Sequence, residues 1–266
     1  MTTLLHDLRA SYAFVERNLF LSRRYWGWEV AFLAYSIAGA LSVSLIGADQ
    51  GDRHLLLVLM VGAILWNYLS VVFSWIAETI AVERWEGTLE YTMMAPIRRW
   101  AHLVGSCLYA VGYGLVHTTV VFAVLVAFFG FDLSNADIGA AAAILALGSV
   151  SFVGIGMITA IMPLLYVERG DQMIYVVQSS LLVVSGVYYS IDVLPPWMQA
   201  LARLSPATYV LDGVRASLID GVPLTSLGHD LVPLVVMGLV LVPAGLVAFG
   251  LAERYAKRTG ALKRVG

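Results

Sequence analysis

Long apolar runs alternate with short charged connections along this chain. The runs cover residues 28 to 47, 54 to 82, 101 to 129, 138 to 166, 172 to 190 and 231 to 252, and none contains Lys or Arg. A Lys or Arg at the centre of a membrane helix costs about 2.5 to 3.5 kcal/mol on insertion, so these gaps predict six transmembrane helices. The second, third and fourth runs hold 29 residues each. About 20 suffice to cross a bilayer, which predicts tilt or projection beyond the hydrocarbon. Ahead of the first run the period changes. Over residues 3 to 20, Leu4, Leu5, Leu8, Tyr12, Val15 and Leu19 fall within an arc of about 100° on a helix, with Arg9, Glu16 and Arg17 outside it. An amphipathic helix is expected there, lying in the membrane interface or packed on a soluble partner.

Positive charge orients the runs. The leader (1 to 27), residues 83 to 100, residues 167 to 171 and the tail (253 to 266) together hold thirteen Lys and Arg. The alternate connections hold three, Arg53, Arg203 and Arg215. The positive-inside rule therefore predicts a multi-pass protein of the cell's inner (plasma) membrane with both termini cytoplasmic. Aromatic anchors agree: Tyr25, Trp26, Trp28, Trp100 and Tyr166 fall at the inner boundary, and Tyr188, Tyr189 and Trp197 at the outer.

Two connections are patterned. Residues 83 to 97, on the inner side, include Glu83-Arg84-Trp85-Glu86-Gly87-Thr88-Leu89-Glu90 and then Met93-Met94-Ala95-Pro96. Trp85, Leu89 and Met93 recur at i, i+4 and i+8, which predicts one apolar face on a short helix that Pro96 ends. Glu83, Glu86 and Glu90 place an acidic surface around it, as expected of a docking site for a cytoplasmic partner or of an interfacial structural helix. Residues 191 to 221, on the outer side, are broken by Pro195, Pro196 and Pro206. Ser205-Pro206 predicts a helix start with a capping hydroxyl, and Asp220-Gly221 a stop. Val210, Val214 and Leu218 share a face between them, and Asp212 and Arg215 form an i, i+3 pair. The segment is expected to make two short helices dipping into the outer leaflet.

Composition narrows the function classes. The chain of 266 residues is 60% hydrophobic and 13% charged, against about 25% charged in soluble domains. Six spans leave little for a separate soluble domain, so residues 1 to 266 are expected to form a single transmembrane domain. A net charge of −2 suggests no nucleic-acid partner. The single cysteine, Cys107, is expected to pack. His117, central in the third run, has no second ligand at metal spacing and is expected to be a hydrogen-bonded core histidine, with no metal site. No G-x-x-x-x-G-K-[ST], G-x-S-x-G or H-E-x-x-H occurs, so neither an ATP site nor an intramembrane enzyme is indicated. Gly112, Gly114, Gly154 and Gly156 are expected to allow close helix packing.

The phrase Glu83-Arg84-Trp85-Glu86-Gly87-Thr88-Leu89-Glu90 with Ala95-Pro96 resembles the coupling-helix region of type-2 ABC exporter permeases. Tyr188-Tyr189-Ser190, Leu194-Pro195, Leu204-Ser205-Pro206 and Tyr209-Val210-Leu211-Asp212-Gly213-Val214-Arg215 resemble that family's signature before its last span. The likeness extends over the whole chain. It implies an all-α membrane protein of six transmembrane helices with an N-terminal amphipathic interfacial helix, a cytoplasmic coupling helix at 83 to 97 and an extracytoplasmic re-entrant hairpin at 191 to 221. It also implies a permease subunit, not itself an enzyme, that pairs with a second permease copy. Two separate cytoplasmic ATPase subunits would carry ATP and Mg, with no cofactor on this chain. Glu83, Glu86, Gly87, Thr88, Leu89 and Glu90 take the coupling role by motif position.

Polar residues inside the runs are the candidates for a substrate path between two copies. They are Trp66, Asn67 and Ser70 in the second run and Gln178 and Ser179 in the fifth, where a buried amide must find a partner or line water. For Asn67 a hydrogen bond to a neighbouring helix is the other reading. Tyr188 and Tyr189 are placed to gate the outer end or to anchor at the interface. The resemblance implies export of an amphipathic drug, lipid, glycolipid or polysaccharide, and an apolar path with aromatic groups suits an amphipathic or lipid-linked cargo. The alternative class is an ATP-independent secondary transporter or channel. Against it, the third, fifth and sixth runs hold no Asp, Glu, Lys or Arg, and no internal repeat is visible.

Overall fold

A computed structural model describes residues 2–95, 97–130, 134–166 and 170–260. Eleven α-helices account for most of them, and no strand occurs among the described residues. In chain order they are α1 (Thr2–Arg24), α2 (Trp26–Asp49), α3 (Arg53–Trp85), α4 (Leu89–Met94), α5 (Arg99–Phe129) and α6 (Ile138–Thr159), followed by α7 (Ile161–Leu165), α8 (Gly170–Val184), α9 (Pro196–Ala202), α10 (Pro206–Ile219) and α11 (Gly228–Thr259).

Among the described residues five helical stretches are long and apolar enough to cross a membrane: α2, α3, α5, α6 with α7, and α11. The central one is α3, apolar on nearly every side, which packs on α2, α5, α6, α7, α8 and α10. Tyr68, Leu69, Phe73 and Ile76 are buried along it. Its 33 residues extend about 50 Å at 1.5 Å per residue, more than the roughly 30 Å of hydrocarbon. A small satellite cluster of Ala40, Met60, Ala63, Ile64, Val121 and Leu125 joins α2, α3 and α5.

The expected fifth span, residues 172 to 190, is helical only as far as Val184. Gly186 turns the backbone left-handed (φ +68°), and the Tyr189 hydroxyl donates back to the Val183 carbonyl. The shortened α8 nevertheless runs antiparallel to α3. Ile174 and Tyr175 stand beside Ala81, Val82 and Trp85 at the C-terminal end of α3. Beyond Gly186, the Val187 carbonyl presses on Gly62 near the other end.

Small residues set the closest helix approaches. A Cβ on Gly154 of α6 would stand 2.6 Å from the Leu241 carbonyl carbon of α11, so these two helices meet backbone to backbone. Gly148 likewise receives Val210 of α10. The latter helix begins at Ser205-Pro206 and stops at Asp220, with Gly221 left-handed (φ +66°), as the sequence predicts. Two local expectations change. Ser205 makes no capping hydrogen bond and instead pairs with the Ser185 hydroxyl at 2.7 Å. Arg215 donates to the carbonyls of Gly186, Val187 and Val58 rather than pairing with Asp212, because the unwound end of α8 leaves carbonyls that need a donor.

The leader helix α1 lies on α5 with its polar side inward. Asp7, Ser11 and Asn18 are buried, while Leu8, Tyr12 and Leu19 of the predicted apolar arc are exposed, as is Phe20. The side chains of Leu4 and Leu5 lie outside those described.

Candidate functional site

At the C-terminal end of α3 the helix stops abruptly. Glu86 N–H still reaches the Val82 carbonyl at 2.8 Å, but Gly87 takes φ +72° and the Thr88 N–H turns back to the Glu83 carbonyl at 2.8 Å. The short α4 starts one residue later, anchored by the buried side chains of Leu89 and Met93. Thr88 adds its hydroxyl to the Glu83 carbonyl at 3.2 Å. Because Gly87 breaks the helix, Trp85 does not share the face of Leu89 and Met93; it is 85% exposed. Glu86, Glu90, Tyr91 and Met94 are exposed beside it. Pro96, the expected terminator, lies outside the described residues.

Glu83 does not join this outer face. Its carboxylate is buried in a clamp, with Oε1 2.5 Å from Arg17 Nη1 of the leader and 3.1 Å from His102 Nε2 of α5. Phe14 closes the clamp, its ring 4.5 Å from that of His102, and the Arg17 guanidinium lies over the same Phe14 ring. More contacts pin the leader along α5: Ser11 Oγ donates to the Ala101 carbonyl at 2.9 Å, and the Ser22 and Tyr109 hydroxyls meet at 2.5 Å. At the far end Arg98 stands 3.5 Å from Asp7. On the other flank, Arg84 donates to the Leu164 carbonyl of α7. The last turns of α3 are thus tied to elements on both sides. Sequence reasoning missed Arg17 and His102. The available signal was the polar stripe Asp7, Ser11, Asn18 on an otherwise apolar-faced helix, which needs partners wherever it is buried.

The polar residues proposed for a path go to different places. Asn67 bridges helices, donating to Ser36 Oγ of α2 at 2.9 Å while its Oδ1 pairs with His117 Nδ1 of α5 at 3.2 Å. Trp66 packs half-buried on the main core, and the buried Ser70 hydroxyl has no hydrogen-bond partner among the described residues. Gln178 is half-buried and Ser179 exposed on α8. Among the described residues no hydrogen bond joins them to Trp66, Asn67 or Ser70. Tyr188 packs half-buried against both hydrophobic clusters, and Tyr189 folds back on α8.

An aromatic ladder on α5 also escaped the sequence reading, although Tyr109, Tyr113 and His117 recur at i, i+4 and i+8. Trp75 of α3 meets Tyr109 and Tyr113 edge-on, at ring separations of 5.2 and 5.0 Å. Tyr113 stacks toward His117 and donates its hydroxyl to Glu29 Oε2 of α2. Beside the ladder an open groove of about 210 Å³ is lined by Glu78, Ala81, Val82, Trp85, Ile174 and Tyr175.

A sequence profile of the ABC-2 type transporter family matches residues 12–219. The chain is similar to the inner membrane transport permease YadH of Escherichia coli strain K12, with 25% identity over 191 residues that cover 69% of this chain and 72% of that protein. Permeases of the same name from Escherichia coli O157:H7 and Shigella flexneri match with the same identity and coverage. The profile covers most of the leader and every helix from α2 to α10, and the chain is therefore a membrane permease belonging to the ABC-2 type transporter family.

Proposed function

We propose that this chain is the membrane half of an exporter powered by separate cytoplasmic ATPases, and that α4 with its flanking turn is where an ATPase docks. The observation that carries the proposal is the division of labour in residues 83 to 94. Leu89 and Met93 hold α4 to the body, Glu83 locks the preceding turn to the leader, and Glu86, Glu90, Tyr91 and Met94 face outward. A small acidic and aromatic projection on a rigidly seated helix is suited to transmit force. Gly87 and Thr88 form the turn that aims it. ATP-driven approach of two ATPases would move these projections together as rigid bodies and switch a pair of permeases between two global states. A second copy of this chain is the simplest partner.

In this scheme both termini face the cytoplasm, as the distribution of thirteen against three basic residues favours. The short α8 then makes a sixth crossing, supported by its antiparallel path along α3. The leader lies in the inner interface with Leu8, Tyr12, Leu19 and Phe20 toward lipid, an arrangement consistent with its buried polar side. Helices α9 and α10 form the outer re-entrant hairpin, with Tyr188 and Tyr189 at its mouth as an outer gate. The cargo class is amphipathic: a drug, lipid, glycolipid or lipid-linked polysaccharide.

Co-expression with candidate ATPases, followed by co-purification and measurement of ATP hydrolysis, tests the scheme. The wild-type chain should retain one ATPase, and E86K/E90K should lose it while still inserting in the membrane. Failure of every ABC ATPase of the source cell to bind would favour the ATP-independent transporter instead.

A further inference from the structure

The leader turns a side that is both apolar and basic away from the protein. Leu8, Tyr12, Leu19 and Phe20 are exposed on α1 within an arc of about 120°, at 100° per residue, and the exposed Arg9, Glu16 and Arg23 fall inside that same arc. Arg24, also exposed, ends the helix, and α2 begins two residues later with Trp26 and Trp28 exposed. The inward side is already occupied. Asp7, Ser11 and Asn18 are buried there, and Arg17 belongs to the clamp on Glu83.

Three arginines on the outward side lack an acidic partner. Among the described residues no Asp or Glu stands within 4 Å of Arg9, Arg23 or Arg24, and Arg24 lies over the ring of Tyr25. Glu16 is the one carboxylate on the exposed arc, so the arc with Arg24 sets three positive charges against one negative. Apolar side chains need hydrocarbon and guanidinium groups need anionic oxygens; water meets only the second demand. A bilayer interface meets both, with acyl chains beneath the helix and phosphate oxygens within reach of the flexible arginine stems. Continuity of the chain places the helix there, since α1 ends next to α2, the first helix long and apolar enough to cross a membrane. A zwitterionic headgroup offsets its phosphate with its own amine. An anionic one leaves that charge to the protein, a gain of about five-fold in binding for each nearby arginine.

We propose that the exposed arc of α1, with Arg24 at its end, binds the headgroups of anionic phospholipids. The proposal rests on the interfacial placement of the leader and is independent of the exporter reading. With headgroups on one side and the Arg17–Glu83 clamp on the other, the leader joins the lipid surface to the turn that precedes α4.

The test reads the lipid composition beside the leader. The full chain carrying Y12W is reconstituted in phosphatidylcholine with a minor fraction of brominated phosphatidylglycerol, or with the same fraction of brominated phosphatidylcholine. Quenching of the wild-type chain, with its seven tryptophans, is subtracted. Phosphatidylglycerol should be enriched beside the introduced indole by about five-fold or more over phosphatidylcholine. R9Q/R23Q/R24Q in the same background should bring the two lipids to within about two-fold, as should about 1 M salt, which shortens the screening length to about 3 Å. E16Q should raise the preference. The substituted side chains are exposed and outside the clamp; if the triple variant nevertheless fails to insert, R23Q/R24Q decides, with the preference expected to fall by about two-fold or more. Equal quenching by the two lipids in Y12W overturns the proposal, as does a preference that survives the arginine substitutions. Where a bilayer made wholly of brominated phosphatidylcholine quenches the fluorophore but the preference is absent, the placement stands and the headgroup site alone falls. No quenching by either lipid overturns both.

Discussion

At Glu83 one carboxylate oxygen serves two partners, a leader arginine and an α5 histidine, with the side chain only 4% exposed. An ion pair this dry contributes little net stability over a well-packed apolar substitute, yet removing one member strands the other at a cost of about 3 to 5 kcal/mol. E83A is therefore expected to lower thermal stability in detergent markedly, and R17A nearly as much. The double variant R17A/E83A should lose less than the sum of the two, a positive coupling that a thermal-shift cycle measures directly. Additivity would show that the clamp is not a unit. This role was illegible in the sequence because Trp85, Leu89 and Met93 scan as one continuous helical face. The left-handed turn at Gly87 resets the register, so the acidic residues divide between interior (Glu83) and surface (Glu86, Glu90) instead of forming one face. Asn67 shows the opposite case. The sequence offered a pathway or a neighbouring helix, and the partners on neighbouring helices, Ser36 and His117, stand far away in the chain.

Among the elements, the leader inverts the usual amphipathic arrangement by burying its polar stripe and presenting Leu8, Tyr12, Leu19 and Phe20 outward. Such a face has no place in water and a natural one at a lipid boundary. Placing the only changed fluorophore there tests this: Tyr12→Trp in brominated-lipid vesicles should show extra quenching over the wild-type chain, whereas none would mean that the leader stands clear of the bilayer. The long helices were legible because each must remain apolar for the full thickness of a membrane and excludes basic residues over that length. The end of α8 was not. Nothing in the run through residue 190 marks the break except Gly186, and the forces that stabilise it, Arg215 on the Gly186 and Val187 carbonyls and Ser185 on Ser205, come from α10 and the residue that precedes it.

For the molecule as a whole the decisive quantity is sidedness. The single cysteine, buried Cys107, makes it directly measurable: in a C107A background, Trp197→Cys should react with a membrane-impermeant maleimide in intact cells, and Glu90→Cys only after lysis. Labelling of both from outside would invert or collapse the six-crossing scheme. The general layout, a leader, long apolar helices and two short helices before the last of them, was readable from the chain because hydropathy acts over tens of residues. The groove beside Trp85 was not readable, because it is assembled from α3 and α8 and no single stretch carries its pattern.

The clamp on the leader also dictates an order of assembly in time. Asp7, Ser11, Arg17 and Asn18 leave the ribosome first, but Glu83, Arg98, Ala101 and His102, the groups that receive three of these four, are made only after two membrane segments have been synthesised. Until then the polar side of the first helix lacks these partners. The leader is thus made before the groups that lock it, and a nascent chain stalled before residue 102 should expose its leader to proteolysis even when its first two spans are already inserted.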